Sequence, residues 1–177
     1  EFKGTDIYNK LSLRSTDFEI ELPENHIWHR GLETLQNGTG VLVNFPTEEV
    51  FTSPHCDTAN GIVYSGKPLA YQDNIIDNFW IEFKNGEAIN WDAKEGAEVL
   101  GNLITSCKGA NKLGEVALVE YDSSISQSGI VFYETLYDEN ASCHLALGRG
   151  FTNCIRDYDK YSQKAQELME RFPEIKL

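Results

Sequence analysis

Between residues 17 and 22, DFEIEL sets Phe18, Ile20 and Leu22 against acids at every second position. That is the period of a strand with one face buried, and Pro23 stops it. GVLVNF (40–45) and GIVY (61–64) read as further strands on either side of the polar stretch TEEVFTSPHCDTAN. FWIEF (79–83) and EAINW (87–91) flank Asn85-Gly86, whose shared tolerance of positive φ suits a type I′ hairpin turn. From Asp92 the period lengthens. Ala97, Leu100 and Ile104 fall on one helical face, which predicts a helix over 94–107 with Asp92 as its N-cap and Gly109 just past its end. EVALVEY (115–121) and IVFYETL (130–136) are predicted as strands from their β-branched and aromatic content, with the Ser-rich stretch Asp122–Gly129 as a loop between them. After Asp157 or Asp159, Tyr161, Ala165, Leu168 and Phe172 recur at helical spacing as far as Pro173, predicting a C-terminal helix.

Strands outnumber helices and are joined partly by hairpins. The predicted fold class is therefore α+β, a mixed and largely antiparallel sheet with a few flanking helices, rather than a doubly wound parallel one. The 177 residues suit one domain or one lobe, read as a single unit over 1–177, with residues 1–6 and the Gly-rich loop 31–40 expected to be its least ordered parts.

Charge and cysteine usage narrow the function classes. With 28 acids against 15 bases the formal charge is −13, which repels phosphate backbones, so no nucleic-acid partner is expected. Apolar runs such as Gly61–Tyr64 and Val116–Val119 are strand-sized, so no membrane span is expected. Cys56, Cys107, Cys143 and Cys154 are widely and irregularly spaced, without a CxxC pair, and are read as reduced thiols of a cytoplasmic protein. The first residue is Glu1, so the start was removed or the chain excerpted.

Four clusters set acids or histidines beside structured backbone: PTEEVFTSP (46–54), LGEVALVEYDS (113–123), DENASCH (138–144) and His26-Ile-Trp-His29. Glu115 opens an apolar strand directly after Gly114, where a carboxylate sits at a core's rim and either points into a cleft or is simply solvated. Glu139 and His144 are near enough in sequence to share a metal that takes carboxylate and imidazole ligands together, or else form a polar turn around a structural histidine. Glu48-Glu49, stiffened by Pro46 and Pro54, reads by pattern as surface charge. His26 and His29 read as structural, with no third ligand nearby. Cys143 beside His144 reads as a packing residue, because a thiol nucleophile and its base usually come from distant parts of a chain.

PTEEVFTSP, KPLAYQDNIIDNFWIEFKNGEAINWDAKEG and LGEVALVEYDSSISQSGIVFYETLYDENASCHLALGRGF, in that order, resemble the thermophilic-metalloprotease family of bacterial aminopeptidases over roughly residues 14–156. The resemblance implies a cytoplasmic, homodimeric hydrolase that removes N-terminal residues from peptide substrates with a water activated by two divalent metal ions, whether zinc, cobalt or magnesium. Residue by residue, it implies that Glu49, Glu115, Glu139 and His144 are metal ligands, Glu115 bridging both ions, and leaves Glu48 as the candidate general base. Phe151 stands where the family has a tyrosine that stabilises the tetrahedral intermediate, a hydrogen bond that phenylalanine cannot donate. The family's downstream His-Val-Asp ligands have no counterpart, since no histidine follows His144. The chain is thus expected to be the carboxy-terminal, catalytic-type lobe of a larger two-lobed protein, without the amino-terminal lobe or final segment. The alternative is a truncated, non-catalytic dimerisation or peptide-binding module derived from that family.

Overall fold

The computed structural model describes residues 17–42 and 45–163. Its elements in chain order are β1 (Phe18–Glu19), β2 (Leu32–Thr34), β3 (Gly40–Leu42), β4 (Glu49–Thr52), β5 (Asn60–Tyr64), β6 (Leu69–Tyr71), β7 (Asn74–Lys84), β8 (Glu87–Glu95), α1 (Ala97–Thr105), β9 (Leu113–Val119), α2 (Ser124–Ser128), α3 (Thr135–Asp138) and β10 (His144–Leu147). Every pairing between them is antiparallel. They form a five-stranded sheet, a three-stranded sheet ordered β10-β9-β4, and the exposed β2–β3 arm. The expected α+β class is the observed one.

The long strand β7 is the spine of the larger sheet. One edge pairs with β8, and the other with β6 near its start and β5 near its end. The predicted hairpin forms where Asn-Gly stands: Asn85 and Gly86 have φ of 50° and 82°, the double positive φ of a type I′ turn. Gly86 is required twice over, since a Cβ there would lie 2.1 Å from the Cys56 carbonyl oxygen. The alternation in DFEIEL also holds, with Phe18, Ile20 and Leu22 all buried in a core shared with Ile76, Ile81, Phe83 and Val116. Helix α1 closes this core by burying Leu100 and Ile104, two of the three positions on its predicted face.

Four predicted elements differ. Asp92 does not cap α1. Its register partner Trp80 keeps it within β8, its Oδ1 accepts from the Ala93 N–H at 2.8 Å, and the chain turns into the helix at Gly96, φ 76°. IVFYETL is not a strand. The Asp138 carboxylate accepts from the Phe132 N–H (2.7 Å) and the Glu134 N–H (3.2 Å), taking donors that a ladder would use, and Tyr133 adopts φ 60°. The Ser-rich loop contains α2, started by Ser123 Oγ accepting from the Ser126 N–H at 3.1 Å. Gly-rich 31–40 likewise holds β2 and the turn of its arm. Residues 158–163 are helical, as the C-terminal pattern predicts; Ala165, Leu168 and Phe172 lie outside the described residues, as do residues 1–6 and positions 43–44 of the predicted strand 40–45.

Candidate metal centre

The three-stranded sheet brings together residues far apart in sequence. Ala117 on the middle strand β9 stands opposite Phe51 of β4 on one side and His144 of β10 on the other. Two positions along in one direction Glu49 faces Val119, and two positions in the other Ala146 faces Glu115. Because side chains alternate between the faces of a sheet, Glu49, Glu115 and His144 all project from the same face. Ala117, at the centre of that face, is too short to separate them. Their ligand atoms converge within 4.8 Å of one another, and Glu49 Oε2 lies 3.2 Å from His144 Nε2.

The opposite face of β9 joins the core through Val116. Gly114 lets the chain leaving β10 cross directly over it, since a Cβ there would meet the Arg149 carbonyl oxygen at 2.4 Å. This crossing delivers Phe151 to β4: its N–H donates to Ser53 Oγ (2.6 Å), and its ring packs on Phe51 with centroids 5.2 Å apart.

The converging groups crowd two carboxylates and an imidazole together in a part-buried space. His144 Nδ1 lies 3.1 Å from the Ser142 carbonyl, which can only accept, so Nδ1 carries the proton and Nε2 presents its lone pair to the carboxylates. Glu49 Oε2 and His144 Nε2 are buried, lie 3.2 Å apart and have no hydrogen-bond partner. Leaving two such atoms unsatisfied costs on the order of 1–3 kcal/mol each. Burial raises the Glu49 carboxyl above its usual range, with His144 opposing the rise. Burial also raises Glu115, lowered in part by His144 and raised further by Glu49. Glu139, in the 3₁₀ turn Glu139–Ala141, is pushed up to about 7 by burial and then by the negative charges of Glu49 and Glu115. It is not among the three groups that converge within 4.8 Å, but it faces the same field. A divalent ion would relieve all of these strains together, and the donor set of carboxylates plus a neutral imidazole fits one.

The remaining candidates fall elsewhere. Glu48 Oε2 accepts from the Ile125 N–H at 3.1 Å, at the start of α2. His26 Nδ1 pairs with the Pro23 carbonyl and His29 Nε2 with the Asn153 carbonyl, each at 2.7 Å, in keeping with a structural reading of that pair. Cys143 is exposed rather than packed, its Sγ accepting from the Val119 N–H at 3.4 Å. Another triad, His55, Cys56 and Asp57, also converges within 4.8 Å, but it is exposed and Asp57 is held by Lys112 at 2.5 Å. Sequence reading missed Ala117, Ser53 and Asn140. The first two carry no local signal, whereas a wholly buried asparagine amid DENASCH could have been suspected.

Comparison with known proteins identifies the family. A family profile described as thermophilic metalloprotease (M29) matches residues 5–171. The chain belongs to that family. It is 48% identical over 140 residues to aminopeptidase 2 of Geobacillus stearothermophilus, covering 79% of this chain and 34% of that protein. It is 41% identical over 136 residues to aminopeptidase T of Thermus aquaticus, covering 77% of this chain and 33% of that protein. The solved structure of wild-type AmpT from Thermus thermophilus matches with a TM-score of 0.77 at 37% identity, over 84% of this chain and 38% of that one. This M29 chain thus spans about a third of the length of those curated relatives. Among its described residues, no helix is long and apolar enough to cross a membrane.

Proposed function

We propose that this chain is the metal-binding, carboxy-terminal lobe of a metal-dependent aminopeptidase, a hydrolase that removes N-terminal residues from peptides. The observation that carries this reading is the convergence of Glu49, Glu115 and His144 with two buried ligand atoms left unsatisfied. In it, Glu49, Glu115, Glu139 and His144 would hold two divalent ions of the zinc, cobalt or magnesium kind, and Glu115, on the central strand of the site, would be the ligand common to both. Such ions, when bound, polarise a carbonyl and lower the pKa of water. Ser142 fixes the tautomer of His144. Phe51 and Phe151 form an apolar wall beside the carboxylates, and Glu48, whose Oε2 is held by the Ile125 N–H, would have to turn its other oxygen to the site to take a proton from water. Glu48→Gln tests that last role cleanly, since glutamine still offers an oxygen to the Ile125 N–H but cannot take a proton: kcat falls by ~10²-fold or more at unchanged melting temperature. An unaltered kcat restricts Glu48 to capping α2.

A cytoplasmic homodimer acting on peptides, binding neither nucleic acid nor membrane, completes the proposal. Free thiols at all four cysteines fit a reducing compartment, and exposed Ile130, Phe132 and Tyr133 supply apolar surface for an assembly to cover. The test is hydrolysis of leucine p-nitroanilide by a version of the protein as long as its relatives. Turnover abolished by chelator and restored by zinc or cobalt is expected; no turnover under any metal overturns the reading. Phe151 favours a second reading, a non-catalytic dimerisation or peptide-binding module, because its ring offers no hydroxyl beside the site. That reading predicts that the 177-residue chain dimerises without metal-dependent hydrolysis, and chelator-sensitive activity from this chain refutes it.

A further inference from the structure

Asn140 is fully buried, at 0% exposure, within the turn that carries Glu139 and just ahead of the strand that carries His144. Its carboxamide is used on both sides. Oδ1 accepts from the Glu48 N–H at 2.6 Å, while Nδ2 donates to the Leu136 carbonyl at 2.9 Å and the Pro46 carbonyl at 3.4 Å. These partners lie on two segments 92 positions apart in the Asn140–Glu48 bond. One leads directly into Glu49, the next residue after the bonded peptide, and the other leads through α3 into Glu139. The backbone is tied in as well: Ser123 Oγ donates to the Asn140 carbonyl at 3.5 Å, and Glu48 reaches back to the start of α2.

The residue type is informative. The site requires an acceptor for one N–H and donors for two carbonyls within one side chain. Asparagine provides both; aspartate has no donor and adds charge beside three carboxylates; leucine leaves all three backbone groups unpaired. A residue kept only to fill the core would be apolar.

We infer that Asn140 is a positioning residue: it fixes the separation of the Glu49 and Glu139 carboxylates and thereby sets the affinity and geometry of the metal site. The inference rests on the proposed metal-binding role. It belongs with outer partners that orient ligands, whose loss typically lowers metal affinity 10–100-fold.

Cobalt(II) titration of the full chain, followed by visible absorption, tests it in the wild type, Asn140→Ala, Asn140→Asp and Leu100→Ala, with thermal unfolding in chelator measured alongside. Asn140→Ala is expected to weaken cobalt binding about 10–100-fold and to alter the absorption envelope. Asn140→Asp, which keeps the acceptor for Glu48, is expected to recover part of the affinity. Leu100→Ala, a change in the α1 core, lowers the melting temperature and changes neither readout. Wild-type affinity and spectrum in both Asn140 variants, however unstable they are, overturn the positioning role and leave metal binding standing. Absence of cobalt uptake by the wild type overturns both. Where Asn140→Ala does not fold, Asn140→Asp decides by the same criterion: reduced affinity with an altered spectrum supports the role, and wild-type values refute it.

Discussion

Replacing Glu139 with glutamine makes the metal-free protein more stable at alkaline pH, and the size of the gain follows from the site. In the folded chain burial and the charges of Glu49 and Glu115 raise this carboxyl from 4.5 to about 7. Between those two values the native state keeps a proton that the unfolded chain has released, so stability falls as pH rises through the window and the loss is complete above the folded value. The difference, 7 − 4.5 = 2.5 units, corresponds at ~1.4 kcal/mol per unit to about 3 kcal/mol. Glu49 and Glu115, both raised chiefly by burial, steepen the slope in the same direction. Urea unfolding in chelator at roughly pH 5 and pH 8 measures the effect. Glu139→Gln and wild type should be about equally stable at the acid end, with the variant ahead by ~2–3 kcal/mol at the alkaline end. Saturating zinc should reverse the order, because wild type then gains a paired charge that the variant lacks. A variant no more stable than wild type at pH 8 in chelator refutes the proposed crowding of carboxylates.

Leu100→Ala, which opens a cavity beneath a side chain 1% exposed, lowers stability by about 2–5 kcal/mol in denaturant titration, and a loss under ~1 kcal/mol contradicts the placement of α1 on the core. Phe151→Tyr adds a hydroxyl to a ring that is 44% exposed and restores the donor expected beside the site, so kcat for leucine p-nitroanilide in a family-length protein rises by up to ~10²-fold with little change in KM; an unchanged kcat removes residue 151 from the chemistry.

How much could be read from the sequence depended on where each determinant lies. The β7–β8 hairpin was legible because its cause is local: Asn85 and Gly86 supply the turn's dihedral angles themselves. The buried face of α1 was legible from its period, but its start was not, since β8 runs on through Asp92 under the pull of β7 before Gly96 turns the corner. IVFYETL has strand composition, yet Asp138, outside the segment, captures its donors. The candidate site shows the same division. Acids and a histidine in suggestive company could be named, and the family resemblance could gather them, but the residue patterns left each open to a bland reading. What converges Glu49, Glu115 and His144 is the register of β4 and β10 on either side of Ala117, a long-range pairing with no local trace. The role of Asn140 was not legible because two of its three side-chain partners lie 92 and 94 positions away.

Calorimetric zinc titration of the wild-type chain against Glu115→Gln is the most direct test of the claim that these side chains together hold a cation. Glu115 lies on the central strand of the site, so neutralising it removes a ligand charge without opening a cavity. Saturable binding by the wild type, weakened at least ~10-fold in Glu115→Gln at unchanged fold, is the predicted result. Equal zinc affinity in the two proteins would contradict it.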